Sequence, residues 1–450
     1  MFRRILYRSF LLAGRIKVWG LRRLTPAGLM LLACLVLAGV FGLNTNLTLA
    51  YQAFTFLLAV LILALASNLV FRPRLTIQRR LPRFGSVGRP LNHGLLIHNE
   101  SRRSLTGISI SEEPVHQPPS QEEFLRNPEL EERKRNFFDR TIGYHRWLSL
   151  VQRHRHQIGP EQTLPDLKPG NSSRINLELT PGRRGRLRLA GPTLARLDTF
   201  GLTRTLAFVP APASILILPK RYNVPPTALP GLRKYQPGGV ALASSVGDSE
   251  EFVSLRDYRP GDPLRRIHWK SWAKTEKPIV KEYQDEYFIR HALILDTFVI
   301  QEPDDAFEEA VSVAASFALN VMTQDSLLDL MFVGPTAYSF TTGRGLIQAD
   351  RLLEILASVN PCRDKPFSAL PPLILSKAAQ LSACILVLLA WDLERQALVR
   401  RLKGLKLPLK VLVVTAASET GNLDPGPMSE APADFHHLIA GRVEEGLARS

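Results

Sequence analysis

Two long apolar runs near the N-terminus form the strongest pattern in this 450-residue chain. They cover residues 27–43 and 48–70, and no charged residue or histidine occurs between Leu24 and Phe71. A helix needs roughly 20 apolar residues to cross a bilayer, so the first run is near the lower limit and the second is ample. A short polar turn at residues 42–46 separates them. Because a helical hairpin satisfies its own backbone hydrogen bonds in lipid, we predict two transmembrane helices within residues 25–71.

Short runs of alternating apolar and polar residues follow and predict a small all-β, sandwich-like domain over residues 72–224. Pro and Gly bound these runs, as they commonly bound strands. The runs lie at 75–79, 95–99, 105–110, 174–179, 186–189 and 214–218. An insertion at 112–160 interrupts them, and the capping-box spacing of Ser120 and Glu123 predicts helices around residues 120–135 and 136–156. A stretch rich in Pro, Gly and Ser predicts a linker over residues 225–250.

Strand and helix patterns alternate over residues 291–450 and predict an α/β domain of Rossmann-like type. The apolar strands are expected at 291–296, 328–333, 337–340, 384–390 and 410–415, and the helices at 303–324, 346–359, 371–381 and 393–402. Such alternation is typical of a parallel sheet covered by helices on both faces. The sequence therefore predicts a multi-domain protein with a helical hairpin, a β-rich domain and an α/β domain.

The basic excess is concentrated beside the apolar runs. The formal net charge is +16, yet residues 1–80 hold eleven Arg or Lys and no Asp or Glu, which leaves +5 for the rest of the chain. Basic residues flank both outer ends of the apolar pair, and the positive-inside rule then places both termini in the cytoplasm. Residues 1–24 form a basic amphipathic segment suited to anionic inner-leaflet lipids. This distribution favours a membrane over a nucleic-acid partner. A cleaved signal peptide is the alternative, but it leaves the second apolar run unexplained.

Residues 251–270 combine alternating charges, a Pro-Gly turn and a tryptophan in the sequence EFVSLRDYRPGDPLRRIHWK. Pro260 and Gly261 favour a turn. Asp262 followed by Pro263 predicts the N-cap and first residue of a short helix, on which Arg265 and Trp269 would be neighbours. Two interpretations stay open: a structural clasp between the β-rich and α/β domains, or a recognition surface for an acidic or phosphorylated partner. The second would use Arg256, Arg265 and Lys270.

This segment resembles the signature of the DUF58 family, and the resemblance extends over roughly residues 20–420. DUF58 proteins are membrane-tethered bacterial proteins whose C-terminal half is similar to a von Willebrand factor A (vWA) domain. The residues at 251–290 that carry the resemblance, and that we take as candidate partner-binding residues, are Arg256, Asp257, Tyr258, Pro260, Gly261, Asp262, Arg265, Trp269 and Lys270. An Arg-Arg-Gly turn at 183–185 also resembles a family pattern that precedes the signature. The resemblance implies a multi-pass protein of the bacterial inner membrane that works with a MoxR-type AAA+ ATPase.

The vWA resemblance also implies a divalent metal at the carboxyl edge of the sheet, bound by an Asp-x-Ser-x-Ser loop, a threonine and a later aspartate. Asp296 and Asp392 match the two aspartates, and Thr341 or Thr342 could supply the threonine. Phe298 and Ile300 stand in place of the serines. Because Mg²⁺ prefers six oxygen ligands, we expect neither a metal nor another cofactor at this degenerate site. Asp296 is expected to orient nearby backbone amides instead.

These patterns favour a non-enzymatic role, in which a membrane-anchored cytoplasmic interaction or assembly factor presents its vWA-like face to a protein partner. Two alternatives stay open. One is a metal-dependent hydrolase that uses Asp296 and Asp392, and the other is a structural factor in envelope homeostasis.

Overall fold

A computed structural model describes residues 2–42, 48–68, 71, 73–115, 118–126, 136–153, 156–224, 234–235, 252–260, 262, 264, 267–283, 287–299, 305–322, 327–342, 346–416 and 423–448. The chain forms two compact units, Met1–Leu218 and Pro219–Ser450. The first contains an N-terminal helical region and several β-sheets, and the second contains an α/β sheet. The coarse fold class expected from the sequence is therefore confirmed.

Three helices begin the first unit: α1 (Phe2–Arg23), α2 (Pro26–Gly42) and α3 (Thr48–Asn68). Within the described part of the chain, Leu49–Asn68 is the one helix whose length and composition would let it cross a membrane, and the apolar helix Pro26–Phe41 is shorter. The sequence predicted two such helices. Of α2 and α3, only α3 is long enough to meet the criterion for a membrane-spanning helix.

The break between α1 and α2 is fixed to the β-rich part of the same unit. The Thr25 hydroxyl donates to the carbonyl of Gly201 at 2.7 Å and accepts from the Gly28 amide at 3.0 Å. Gly28 is required at this contact, because a Cβ there would lie 2.0 Å from the Leu202 carbonyl oxygen. At the other end of the helix pair, the Asn68 amide donates to the Thr203 hydroxyl at 2.8 Å. The start of α2 and the end of α3 therefore both lie beside the turn at residues 201–203.

Three sheets make up the β-rich part, with strand orders β1-β3-β7-β5, β10-β9-β4-β6 and β2-β11-β8. The alternating burial of β3 shows why the sequence pattern predicted strands: every second side chain enters the core,. The strands are β1 (Leu75–Arg80), β2 (Phe84–Ser86), β3 (Leu91–Asn99), β4 (Ile108–Ser111), β5 (Gln157–Ile158), β6 (Gln162–Thr163), β7 (Ser172–Thr180), β8 (Gly185–Leu189), β9 (Thr193–Leu197), β10 (Arg204–Phe208) and β11 (Ala213–Leu218).

The insertion between β4 and β5 is helical where the structure describes it, with α4 (Gln121–Arg126), α5 (Phe137–Ile142) and α6 (Tyr144–Arg153). Its aromatic cluster holds α1 to the rest of the unit. Phe124, Trp147 and Leu150 are buried, and Tyr7 and Phe10 of α1 pack against them. The Phe10 and Trp147 rings stack with centroids 6.2 Å apart. One face of the basic helix α1 is thereby used for packing within the unit.

The second unit is built on a six-stranded sheet of order β18-β17-β16-β19-β20-β21. All neighbouring pairs are parallel except β17 and β18, which are antiparallel. Its strands are β16 (Arg290–Leu295), β17 (Leu327–Val333), β18 (Ala337–Thr342), β19 (Ala383–Leu388), β20 (Leu409–Thr415) and β21 (Phe435–Ile439). Four of these strands are buried along their whole length, as expected for strands covered on both faces,.

Helices cover this sheet at α8 (Asp305–Met322), α9 (Leu346–Ser358), α10 (Leu370–Leu375), α11 (Leu393–Gly404) and α12 (Val443–Leu447). The first of these helices has the buried face that its apolar spacing indicates, since Phe307, Ala310, Val313, Ala314 and Phe317 are fully buried and Ala306 is half-buried. Four strands and one helix precede this sheet in the unit: β12 (Lys234–Tyr235), β13 (Phe252–Asp257), α7 (Trp269–Thr275), β14 (Ile279–Tyr283) and β15 (Tyr287–Phe288).

Candidate functional site

The signature residues lie on a hairpin whose strands are β13 and β14. The strands pair antiparallel, with Arg256 opposite Val280 and Asp257 opposite Ile279, and the register shifts between Phe252 and Ser254. The chain between them returns to β14 at Ile267, which is buried and forms a β-bridge with Val280. A short helix begins at Trp269, after this bridge, and the helix start predicted at Pro263 lies outside the described residues.

Arg256 and Asp262 form a two-pronged ion pair inside the hairpin. The two guanidinium nitrogens of Arg256 donate to the two carboxylate oxygens of Asp262 at 2.7 and 2.8 Å. The Arg259 amide donates to the same carboxylate at 2.8 Å, and the Asp262 amide donates to the Arg259 carbonyl at 3.0 Å. The hydrogen bonds from Arg256, and then that from the Arg259 backbone, lower the pKa of Asp262 to about 2. Asp262 therefore closes the turn through its contacts with Arg256 and Arg259, and its predicted role as the N-cap ahead of Pro263 concerns residues outside those described.

Helix α7 presents an aromatic pair to solvent. Trp269 is 64% exposed, and its ring stacks on Trp272 with centroids 5.2 Å apart and an interplanar angle of 22°. Lys270 and Lys274 are exposed on the same helix. The His268 ring nitrogen Nδ1 lies 2.6 Å from the Ser271 hydroxyl, and the His268 amide donates to the Ile279 carbonyl at 2.8 Å. The start of α7 is thus fastened to β14 while its tryptophans remain accessible.

The other signature residues occupy the strand end and the turn. Asp257 is exposed, and Tyr258, which is half-buried, donates its amide to the Pro278 carbonyl at 2.9 Å. Pro260 is exposed in the turn. Gly261 and Arg265 lie outside the described residues, as do the predicted Arg265–Trp269 stacking and the N1 position of Pro263.

A second candidate site lies at the carboxyl edge of the six-stranded sheet, directly after β16. Asp296 is fully buried there. Its carboxylate accepts from the Phe298 amide at 3.0 Å and from the Leu389 amide at 3.1 Å. Asp296 therefore orients backbone amides of two neighbouring strand ends, as the sequence predicted.

Arg395 joins Asp296 to Asp392. Its Nε donates to Asp296 at 2.6 Å and one terminal nitrogen donates to Asp392 at 2.5 Å. Asp392 is also the N-cap of α11, where it accepts from the Arg395 amide at 3.0 Å. The Arg395 guanidinium carbon lies 4.6 Å from the centre of the Phe367 ring. The side chain of Arg395 is only 4% exposed, so a guanidinium fills the space between the two aspartates,.

Burial alone would lower the pKa of Arg395. The charges of Asp296 and Asp392 and their hydrogen bonds outweigh that effect and raise the pKa,. Phe298, at the position of an expected serine, is buried with its ring 5.6 Å from that of Phe367. Ile300, at the other serine position, lies outside the described residues. The donor set that the structure describes here fits a guanidinium better than a divalent ion, since both Asp296 oxygens already accept hydrogen bonds.

Thr341 does not join these aspartates. It lies on β18 opposite Asp329, and its hydroxyl donates to the Asp329 carboxylate at 2.5 Å. Arg290, the first residue of β16, donates to the same carboxylate at 2.7 and 3.1 Å. Asp329 pairs with Ala292, four residues before Asp296 on β16, so at about 3.3 Å per residue the Asp329–Thr341 contact lies about 13 Å from Asp296 along the strand direction, toward the opposite edge of the sheet,. Thr342 is paired with Leu328 at that same edge.

The family model "Protein of unknown function DUF58" matches residues 254–390, which include the hairpin and Asp296. Residues 254–390 belong to the DUF58 family. A relative of this chain is the uncharacterized protein YeaD of Bacillus subtilis (strain 168), which is 27% identical over 164 residues. That match covers 36% of this chain and 39% of the length of YeaD.

Two solved structures show weak similarity. A CARDB domain from Pyrococcus furiosus is 11% identical with a TM-score of 0.18, and the match covers 32% of this chain and 89% of that domain. A beta-glucosidase from Listeria innocua is 10% identical with a TM-score of 0.16, and the match covers 32% of this chain and 16% of the enzyme. With TM-scores this low, neither similarity informs the fold or the function.

Sequence reasoning missed two residues at these sites. Trp272 was not selected, although its position three residues after Trp269 on a helix could have indicated the aromatic pair. Arg395 follows the N-cap Asp392 by three residues, which could have indicated their local contact. Its pairing with Asp296 spans 99 residues of chain and depends on the sheet bringing the ends of β16 and β19 together.

Proposed function

We propose that this chain is a membrane-anchored interaction or assembly factor whose DUF58 region binds an acidic segment of a partner protein at α7. The observation that carries the proposal is the stack of the exposed Trp269 on the half-buried Trp272, next to a hairpin braced by the Arg256–Asp262 pair. Tryptophan is enriched among the few residues that dominate the energy of protein interfaces. A preformed support lowers the entropy lost on binding.

The lysines of α7 suggest the chemistry of the partner. Lys270 and Lys274 are four residues apart on a helix that contains no acidic residue, so they share one face of α7, and the tryptophans occupy a separate face,. Such a face attracts carboxylates by charge while the indole rings bury apolar groups. Arg256, which the sequence suggested as a contact residue, braces the hairpin through Asp262 and contributes to binding by holding α7 in place.

We propose a MoxR-type AAA+ ATPase as the partner, on the basis of the DUF58 resemblance. Replacing both tryptophans by alanine should weaken binding of that ATPase by about thirtyfold or more, because a single hot-spot tryptophan contributes about 2 kcal/mol or more. The measurement is binding of the purified ATPase, with and without ATP, to the full chain immobilised in detergent micelles. Leu393→Ala is the matched control, since Leu393 is an exposed apolar residue at the start of α11.

Equal binding by the parent chain and the double tryptophan variant would contradict docking at α7. An ATPase that does not bind the parent chain at all would contradict this choice of partner.

We propose that α2 and α3 cross the bacterial inner membrane as a pair, with both termini in the cytoplasm. Large apolar side chains are exposed along both helices, among them Met30, Val36, Phe41, Phe56 and Ile62. The two helices pack closely: a Cβ on Gly39 would lie 3.3 Å from the Phe54 ring. At about 1.5 Å per residue, α2 is about 25 Å long, so it fits a locally thinned or slightly mismatched bilayer of about 30 Å.

Reporter fusions test this topology. Alkaline phosphatase, which folds only in the periplasm, should be inactive when fused after Ser450 and active when inserted at residues 43–47. A fluorescent protein that folds only in the cytoplasm should show the reverse pattern. High phosphatase activity at the C-terminus would mean that a single helix crosses the membrane.

We propose a binding role, not a catalytic one, for the carboxyl edge of the sheet. Asp296 and Asp392, the residues that a metal-dependent hydrolase would use, are both engaged by Arg395. The same contacts favour the absence of a metal cofactor.

A further inference from the structure

A cavity of about 940 Å³ lies inside the first unit, between α1, α6 and β8. It has the size of a cavity for a small organic ligand. Its walls differ in chemistry. One wall is apolar and is formed by Val18 and Leu21 of α1 and by Trp147 and Leu148 of α6.

The opposite wall is cationic. Arg186 and Arg188 lie on β8, where they alternate with the buried residues Leu187 and Leu189. The side chains of both arginines therefore project from the same face of the strand. Arg183 and Arg184, of the Arg-Arg-Gly turn singled out in the sequence, line the cavity beside them, and Lys17 of α1 lines it as well. The one carboxylate in the lining, Glu113, forms an ion pair with Arg22. The wall therefore keeps a strong positive charge.

We propose that this cavity binds a lipid with a phosphate-bearing headgroup, with the phosphate at Arg186 and Arg188 and the hydrocarbon chain against the α1–α6 wall. Guanidinium groups bind phosphate oxygens in a two-pronged geometry. A free phosphate would use only the cationic wall, whereas a lipid accounts for both walls.

The position of the cavity along the chain agrees with this ligand. Leu21 precedes Pro26, the first residue of α2, by five residues across the break at Leu24 and Thr25, so the two are at most about 18 Å apart,. The inference therefore rests on the membrane placement proposed above, because α2 then begins at the depth of the lipid headgroups. It does not depend on the partner bound at α7.

The test uses the full chain in dodecyl maltoside micelles and a phosphatidic acid that carries a photoreactive diazirine in its acyl chain. The yield of crosslinks to the peptide that contains α6 is measured by mass spectrometry. We expect the yield to be at least about tenfold higher than with the matched diacylglycerol, which lacks only the phosphate. The double variant R186Q/R188Q should lose about tenfold, since two charge-assisted hydrogen bonds are removed from exposed positions that are not needed for folding.

Three comparisons sharpen the result. R102Q/R103Q, which removes two exposed arginines of the same unit outside the cavity, should stay within about twofold of the parent,. L148Q should lower the yield through the apolar wall while leaving the arginines in place. A large excess of inorganic phosphate should lower the yield by less than about twofold, because it cannot occupy the apolar wall.

Equal yields from phosphatidic acid and diacylglycerol, or equal yields from the two double-arginine variants, would overturn the proposal. Displacement of the lipid by inorganic phosphate alone would also overturn it, and would indicate a site for free phosphate. R186Q/R188Q should bind the ATPase as the parent does, so failure of lipid binding and failure of the partner proposal are separately observed.

Discussion

Replacing Arg395 by alanine should lower the free energy of unfolding of the second unit by about 3–5 kcal/mol. Asp296 is fully buried, and Arg395 supplies its countercharge at 2.6 Å. Removing the guanidinium leaves a buried carboxylate with two backbone hydrogen bonds and no opposite charge. It also empties the space beside the Phe367 ring, and cavities of this kind add to the loss.

The unfolding of this unit can be followed within the full chain through Cys384. This residue is fully buried on β19 and Cys34 is exposed on α2, so labelling of the Cys384 thiol across a urea series reports opening of the second unit. Arg400→Ala is the matched control, because Arg400 is exposed on the same helix, and it should change the midpoint little,. Similar midpoints for the two variants would contradict a structural role for the buried pair.

A second comparison separates the loss of a countercharge from the loss of packing. The double variant D296N/R395M removes both charges, so it should unfold at a higher urea concentration than R395A, which leaves the buried Asp296 carboxylate without a countercharge.

The same assay tests whether the aspartates bind a metal ion. Millimolar Mg²⁺ should leave the parent midpoint unchanged, and a stabilisation by Mg²⁺ that D296A abolishes would mean that the aspartates bind an ion.

The local patterns of the sequence predicted most elements of the α/β sheet, though not β21, and they were insufficient for the long-range polar contacts. The buried stripe of α8 and the apolar run of β19 are periodic features of single segments, and they were predicted correctly. Thr341 or Thr342 was a candidate for the threonine beside Asp296 because the vWA resemblance implies one there. Their true positions depend on β18 running antiparallel to β17, and no residue within β18 shows that direction.

The signature illustrates the same limit at short range. Asp262 followed by Pro263 has the pattern of a helix start, yet the carboxylate binds Arg256 across the hairpin. The pairing depends on the hairpin that β13 and β14 form, in which Arg256 lies opposite Val280. A local capping pattern does not contain this tertiary contact.

Buried His291 should make the stability of the second unit fall as the pH is lowered from about 6.5 to about 4. His291 lies on β16, only 2% exposed, between Leu328 of β17 and Ala383 of β19. Burial lowers its pKa to about 4, so the folded chain keeps the ring neutral in this range. The unfolded chain binds a proton below about pH 6.5. Because the unfolded state then holds more protons than the folded state, acid favours unfolding, by up to about 3 kcal/mol for this one residue.

The variant His291→Leu isolates this contribution, since leucine has a similar volume and stays neutral at every pH. We expect the parent to lose about 3 kcal/mol more than H291L between pH 6.5 and pH 4 in the Cys384 assay. Carboxylates also titrate near the lower end of this range, but they do so in both proteins and cancel in the difference. His98→Gln, which changes a half-exposed histidine of the first unit, should follow the parent curve. Parallel pH curves for the parent and H291L would contradict this prediction. They would show that His291 binds a proton in the folded chain and that water or a nearby hydrogen-bond acceptor stabilises the charged ring.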